Sequence, residues 1–139
     1  MQIEDEPNPS QPDQHNKFVH TPRTWKRKFQ DAFQGLRQSV QKQSSYKVHF
    51  LFAFLVILTG LLLNLDSVRW ALLILCITIV LAGEMLNTSM EELAKAITDQ
   101  HDEHIARALN IASGAILVLS LGAAVVGLLV FIEAFFRFF

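Results

Sequence analysis

Glu84, Asn87 and Glu91 stand at i, i+3 and i+7, so on a helix they share one face. Carboxylates are the side chains of proton transfer and of hard-cation binding, and a carboxamide can both donate and accept hydrogen bonds. The setting sharpens the pattern. The run from Trp70 to Ala82 carries no charge, which places Glu84 at the end of, or just inside, an apolar span. A charged side chain within a bilayer span costs roughly 2.5–3.5 kcal/mol on insertion scales. Two acids and an amide stacked there read as a polar site. The plainer alternative is a span that ends at Glu84 and continues as a solvated helix.

The elements that would hold such a site are apolar helices. Of the 139 residues, 51 % are hydrophobic and 18 % charged, which points away from an ordinary soluble domain. Val48–Leu65 is apolar apart from His49, Thr59, Gly60 and Asn64, and as a helix covers about 27 Å. Asn64–Ser67 reads as a turn, with Arg69 and Trp70 at the next membrane interface. A second span runs from about Val68 through Glu84, and its helix continues past the lipid to about Asp99. Ile111–Ile132 is uncharged and spans about 33 Å as a helix. Within it, Ser120/Ala124 and Ala123/Gly127 are small pairs four apart that permit close helix contact. The predicted fold is an all-α membrane protein, with spans over about 47–65, 68–90 and 111–132.

Ahead of the spans, Trp25, Phe29, Phe33, Leu36 and Val40 recur at helical spacing, with Lys26, Arg27 and Arg37 among the residues on the other faces. This predicts a basic amphipathic helix over about 24–43. It lies in the membrane interface or packs against the spans of its own or a neighbouring subunit. Residues 1–22 are polar and hold no apolar stretch; they are expected to be disordered, and they lack the pattern of a signal peptide. The remaining chain, 23–139, reads as one domain.

Net charge is −1, but eight of the 12 Lys and Arg precede Val48. That asymmetry speaks of membrane orientation and not of nucleic acid. It predicts a multi-pass protein with a cytoplasmic N-terminus, the 64–67 turn outside, the 92–110 segment cytoplasmic and the C-terminus outside. Asp99–His104 is the one dense polar cluster between spans; lacking Cys and a defined ligand spacing, it reads more as a solvated loop than as a metal site. Cys76 is the single cysteine and lies in an apolar run, where packing is its expected role.

The run Glu84-Met85-Leu86-Asn87-Thr88-Ser89-Met90-Glu91 resembles the signature of the prokaryotic diacylglycerol kinase family, which includes undecaprenol kinases. Phe29–Leu36 is similar to the family's surface helix, Tyr46-Lys47-Val48-His49 to the start of its first span, and Ser113–Leu117 to the opening of its third. The resemblance covers about residues 25–132. It implies a homotrimeric enzyme of the bacterial inner membrane that transfers the γ-phosphate of ATP to a lipid alcohol, diacylglycerol or undecaprenol, with Mg²⁺ as cofactor. By the same resemblance Glu84 is the base, Glu91 holds the metal, and Asn87, Lys47, Asn110 and Asp102 meet substrate or nucleotide. No Gly-x4-Gly-Lys-Ser/Thr loop is present, and the family uses none.

Five positions depart from the family pattern. Gln43 stands where the family has a metal-binding Glu, Lys95 where it has Asp, Leu109-Asn110 where it has Lys-Asp, and Asp102, flanked by His101 and His104, where it has His. A neutral amide is a poorer Mg²⁺ ligand than a carboxylate, and Lys95 at i+4 from Glu91 is placed to pair with it. Two readings follow from the resemblance: a working lipid kinase with rearranged contacts, or a weak or inactive member acting as a lipid-binding or regulatory membrane protein. A helper subunit of a larger membrane complex is a third.

Overall fold

The computed structural model describes residues 24–42 and 45–138. The polar tail, Gln43 and Ser44 lie outside the described residues. The chain forms four helices: α1 (Trp25–Lys42), α2 (Ser45–Leu62), α3 (Ser67–Ile97) and α4 (Glu103–Phe138). The last three are long and apolar enough to cross a membrane, and α1 is not. The protein is therefore an all-α chain with one N-terminal helix that does not span, followed by three that can.

Local chemistry sets the ends of these helices. Asn64 closes α2 in the left-handed conformation, at φ 48°, which asparagine tolerates better than most residues. The Leu65 N–H then donates to the Gly60 carbonyl and the Asn64 N–H to the Leu61 carbonyl, the paired bonds of a Schellman ending. Asp66 starts α3: its Oδ1 accepts from the backbone N–H groups of Val68 and Arg69, satisfying donors that the first helical turn leaves open. Asp102 does the same for α4, accepting from His104 and Ile105 at 2.9 and 3.0 Å. That cap explains why α4 begins at Glu103, well before the apolar segment that opens at Ile111.

Packing is dominated by α3 and α4, which run antiparallel, while α2 and α1 attach to α3. Buried apolar residues mark the seam: Leu73 and Val80 from α3, Val130 and Ala134 from α4, and Tyr46 from α2. Two glycines allow close approach. A Cβ on Gly60 would lie 2.9 Å from the Trp70 ring, and one on Gly83 would lie 2.7 Å from Leu119 Cδ1. The outward faces of α2 and α4 stay apolar and exposed, as lipid-facing or subunit-facing surfaces are.

On α1, Trp25, Phe29 and Phe33 are each at least 72 % exposed, so this chain's own described helices do not cover its apolar face. Only its C-terminal end turns inward, with Ser39 and Val40 half-buried. Packing of the apolar stripe on this chain's own spans is thus confined to that end.

Candidate active site

The long α3 carries Glu84, Asn87 and Glu91 along one face, as their spacing requires. Glu84 is buried at 5 % exposure, and Thr88 one turn on is buried at 4 %. The Thr88 hydroxyl donates to the Glu84 carbonyl at 2.9 Å, which disposes of its polarity locally. Asn87 Nδ2 donates to Glu91 Oε1 at 3.1 Å. Its Oδ1 is buried with no hydrogen-bond partner among the described residues. The amide is thus tied to one carboxylate by its donor and keeps its acceptor for something else.

The face of α2 that meets Glu84 is polar in its first turn. Tyr46 and His49 are three apart, so both point inward while Lys47 and Val48 stay exposed. His49 Nε2 lies 4.0 Å from Glu84 Oε2, and the two side chains are 19 % and 6 % exposed. This is ion-pair range, longer than a hydrogen bond. The Tyr46 ring is 1 % exposed. Its hydroxyl sits among the side chains of Ser39, Glu84 and Thr88, yet none of them is oriented to bond it. Three helices therefore meet around the Tyr46 hydroxyl, with Ser39 from α1 and Glu84 and Thr88 from α3, while His49 of α2 faces the Glu84 carboxylate.

Beyond Glu91, α3, the connector and the start of α4 enclose an open cleft of about 410 Å³. Glu91, Lys95, His101, Asp102 and Leu109 line it. Lys95 Nζ is 3.1 Å from Glu92 Oε1, so the ion pair it forms includes Glu92, one residue beyond the expected Glu91. Asp102 reaches the cleft but also spends Oδ1 on the α4 cap. The structure thus gathers Glu84, Asn87, Glu91, Asp102 and Lys95 along one end of the α3–α4 pair. Lys47 and Asn110 are exposed and do not line the cleft. Gln43 lies outside the described residues.

No group of three or more His, Cys, Asp and Glu able to hold a metal ion occurs among the described residues. Glu91 alone fits a narrower role. Mg²⁺ is commonly held by one or two carboxylates together with substrate phosphates, and Glu91 borders a cleft large enough to admit them.

Tyr46 and His49 are site residues that sequence reasoning passed over in favour of Lys47 between them. A signal existed: His49 is the one ionisable residue in an otherwise apolar run, at i+3 from a tyrosine. Only the rotation of α2 shows that this pair, and not the lysine, faces Glu84.

The comparisons agree with the geometry. The prokaryotic diacylglycerol kinase family model matches residues 30–131, which holds the inner part of α1, the described part of α2, all of α3 and most of α4. An undecaprenol kinase of Bacillus subtilis (strain 168) is 29 % identical over 104 residues, covering 75 % of this chain and 85 % of the relative. The match takes in the buried acid, its amide neighbour and the second acid together, and the chain belongs to the prokaryotic diacylglycerol kinase family.

Proposed function

We propose that the protein phosphorylates a membrane lipid alcohol by in-line transfer of the γ-phosphate of ATP. A single observation carries this reading: Glu84 is held almost wholly out of solvent two helical turns from the cleft-lining Glu91, with Asn87 between them hydrogen-bonded to the second acid. Helix packing does not require two carboxylates on one face of an apolar helix, and each costs free energy there. A buried base and a cation-holding acid are what phosphoryl transfer to a hydroxyl needs.

In this mechanism Glu84 receives the proton of the lipid hydroxyl as its oxygen attacks the γ-phosphorus. Asn87 orients the reactants with its free acceptor. Glu91 would hold Mg²⁺, which would supply positive charge to offset that of the nucleotide phosphates. Lys95 and Asp102 border the cleft that receives the nucleotide, and Lys95 supplies positive charge where the family pattern has lost a lysine. Lys47 and Asn110, exposed at the same end of the molecule, contribute outside the cleft or through another subunit.

The site end faces the cytosol and its ATP, because eight of the 12 Lys and Arg precede Val48 and the connector before α4 lies at that end. The protein sits in the bacterial inner membrane with a cytoplasmic N-terminus and acts as a homotrimer. The exposed apolar faces of α1 and α2 supply the surface for lipid and neighbouring subunits. Diacylglycerol and undecaprenol are the candidate acceptors, and the similarity to an undecaprenol kinase favours the polyprenol.

The test is a radiolabelled-ATP assay in detergent with diacylglycerol and polyprenol run in parallel. Label is expected in one lipid, more strongly in the polyprenol. Label in neither lipid, from protein that is folded and oligomeric, supports the alternative of an inactive, lipid-binding member. The departures at Gln43, Lys95, Leu109 and Asn110 are what keep that alternative in play.

A further inference from the structure

We propose that His49 is a positioning residue for Glu84 and the group that carries its proton away. This rests on the kinase reading above. A buried carboxylate and a half-buried imidazole from different helices face each other, with His49 Nε2 4.0 Å from Glu84 Oε2. An ionisable group within an apolar span is costly, and such groups pair with one another or serve a pathway. An apolar side chain would fill the same space in α2 without that cost. The two groups also differ in access: the Glu84 side chain is 6 % exposed and the His49 side chain 19 %. A base that has taken a proton must lose it before the next turnover. Glu84 is too buried to hand it to water, whereas the imidazole reaches further out.

The step balances. The lipid hydroxyl oxygen bonds to the γ-phosphorus as the bond from that phosphorus to the bridging oxygen breaks, its electron pair leaving with ADP. The hydroxyl proton moves to the Glu84 carboxylate and then to Nε2 of neutral His49. The imidazolium so formed faces the regenerated carboxylate, an ion pair at the observed distance, and releases its proton to solvent. Side chains at catalytic sites tighten from such separations when substrate binds.

The other groups around Glu84 do not compete for this role. Tyr46 on α2 is near Glu84 and carries a hydroxyl, as do Ser39 on α1 and Thr88 on α3 around that tyrosine. On α4 the residues against neighbouring Gly83 are the apolar Ile116 and Leu119. Asn87 and Glu91 continue along α3 and are bonded to each other. Among the described residues His49 is the one basic side chain found within ion-pair distance of Glu84. Imidazole is also the side chain best suited to passing protons near neutral pH.

The experiment uses the full chain in detergent micelles with whichever lipid alcohol is labelled by wild type. His49→Gln is expected to lower kcat about 100-fold, the scale of a lost proton-transfer group, while KM for ATP stays the same. His49→Ala should fall similarly, and added imidazole should restore its kcat by about tenfold or more. Wild-type kcat in His49→Gln overturns the proposal. So does a loss in His49→Ala that imidazole does not restore, because that marks a residue needed only for packing. A second readout separates this proposal from the kinase reading. Thermal melting of wild type, His49→Gln, Glu84→Gln and the double variant forms a cycle. If wild type labels no lipid, the kinase reading fails on its own. The pair then stands if the double variant melts no lower than the worse single variant, and falls if the two losses add.

Discussion

The two ends of the helix bundle both carry charge, and they treat it in opposite ways. At one end Asp66, Arg69, Glu133 and Arg137 tie the α2–α3 turn to the end of α4. Arg69 bonds both Asp66 and Glu133, and Arg137 Nη1 lies 3.9 Å from Asp66. The acids there are open to solvent, at 46 % and 66 % side-chain exposure, and each meets a guanidinium. At the other end Glu84 is buried, the basic group facing it is a histidine 4.0 Å away, and the neighbouring Asn87 Oδ1 and Tyr46 hydroxyl have no hydrogen-bond partner among the described residues. The first set of charges is neutralised on the spot. The second is left incompletely satisfied, and under the proposed function a substrate completes it.

The sharpest way to break this contrast is to remove one charge from each end and read both turnover and melting. Glu84→Gln should lower lipid phosphorylation by about 10²–10⁴-fold, the range of a lost acid–base group, and leave the oligomer intact. Arg69→Ala should do the reverse: turnover is retained, and stability falls by about 1 kcal/mol as a partly solvated ion cluster opens. Turnover lost in Arg69→Ala without a drop in Tm contradicts the division of labour.

Two glycines refine it. Gly60 lies beneath the Trp70 ring at the Asp66 end, and Gly83 lies against the flexible tips of Leu119 and Ile116 beside Glu84. Gly60→Ala must displace a rigid ring, an overpacking cost of about 1–3 kcal/mol set against roughly 1 kcal/mol gained from better helix propensity. Gly83→Ala need only turn a leucine, so its Tm should match or exceed wild type. Differential scanning of both variants checks the order.

Smaller effects are expected at the rims. Lys95→Ala removes an exposed ion pair with Glu92, worth at most about 1 kcal/mol to stability. If Lys95 meets the nucleotide, KM for ATP rises several-fold with Tm unchanged, which steady-state kinetics would show. Asp66 supplies the smallest effect. The Arg69 backbone N–H, and after it the Arg69 guanidinium, hold its carboxyl below the usual range. A lowered folded-state value means that the ionised form stabilises the fold above the ordinary carboxylate range. That contribution is lost as pH falls through the folded value. Asp66→Asn keeps a capping side chain without the charge. The Tm gap between wild type and Asp66→Asn should therefore be present at neutral pH and close on acidification.

Much of this was legible in the residues, and the limits have physical causes. Helical periodicity gave α1, and three long apolar runs gave the spans, because a bilayer leaves few other ways to satisfy a backbone. The turn at Asn64–Ser67 showed in its residue types. The 3.6-residue repeat also placed Glu84, Asn87 and Glu91 on one face. What stayed hidden depended on rotation and on capping. Lys47 drew attention as the cation, but α2 turns Tyr46 and His49 inward instead. Spacing put Lys95 within reach of Glu91 but did not single out Glu92, which its ion pair includes and which is equally reachable on a helix. The early start of α4 followed from a carboxylate, Asp102, in a segment first read as a solvated loop.

The most direct measurement is a single turnover with protein in excess over γ-labelled ATP and the lipid alcohol present in micelles. Wild type should move the label onto the lipid in one exponential phase, with none appearing as inorganic phosphate. Label that stays on ATP, or is released only as inorganic phosphate, contradicts a lipid kinase built around Glu84.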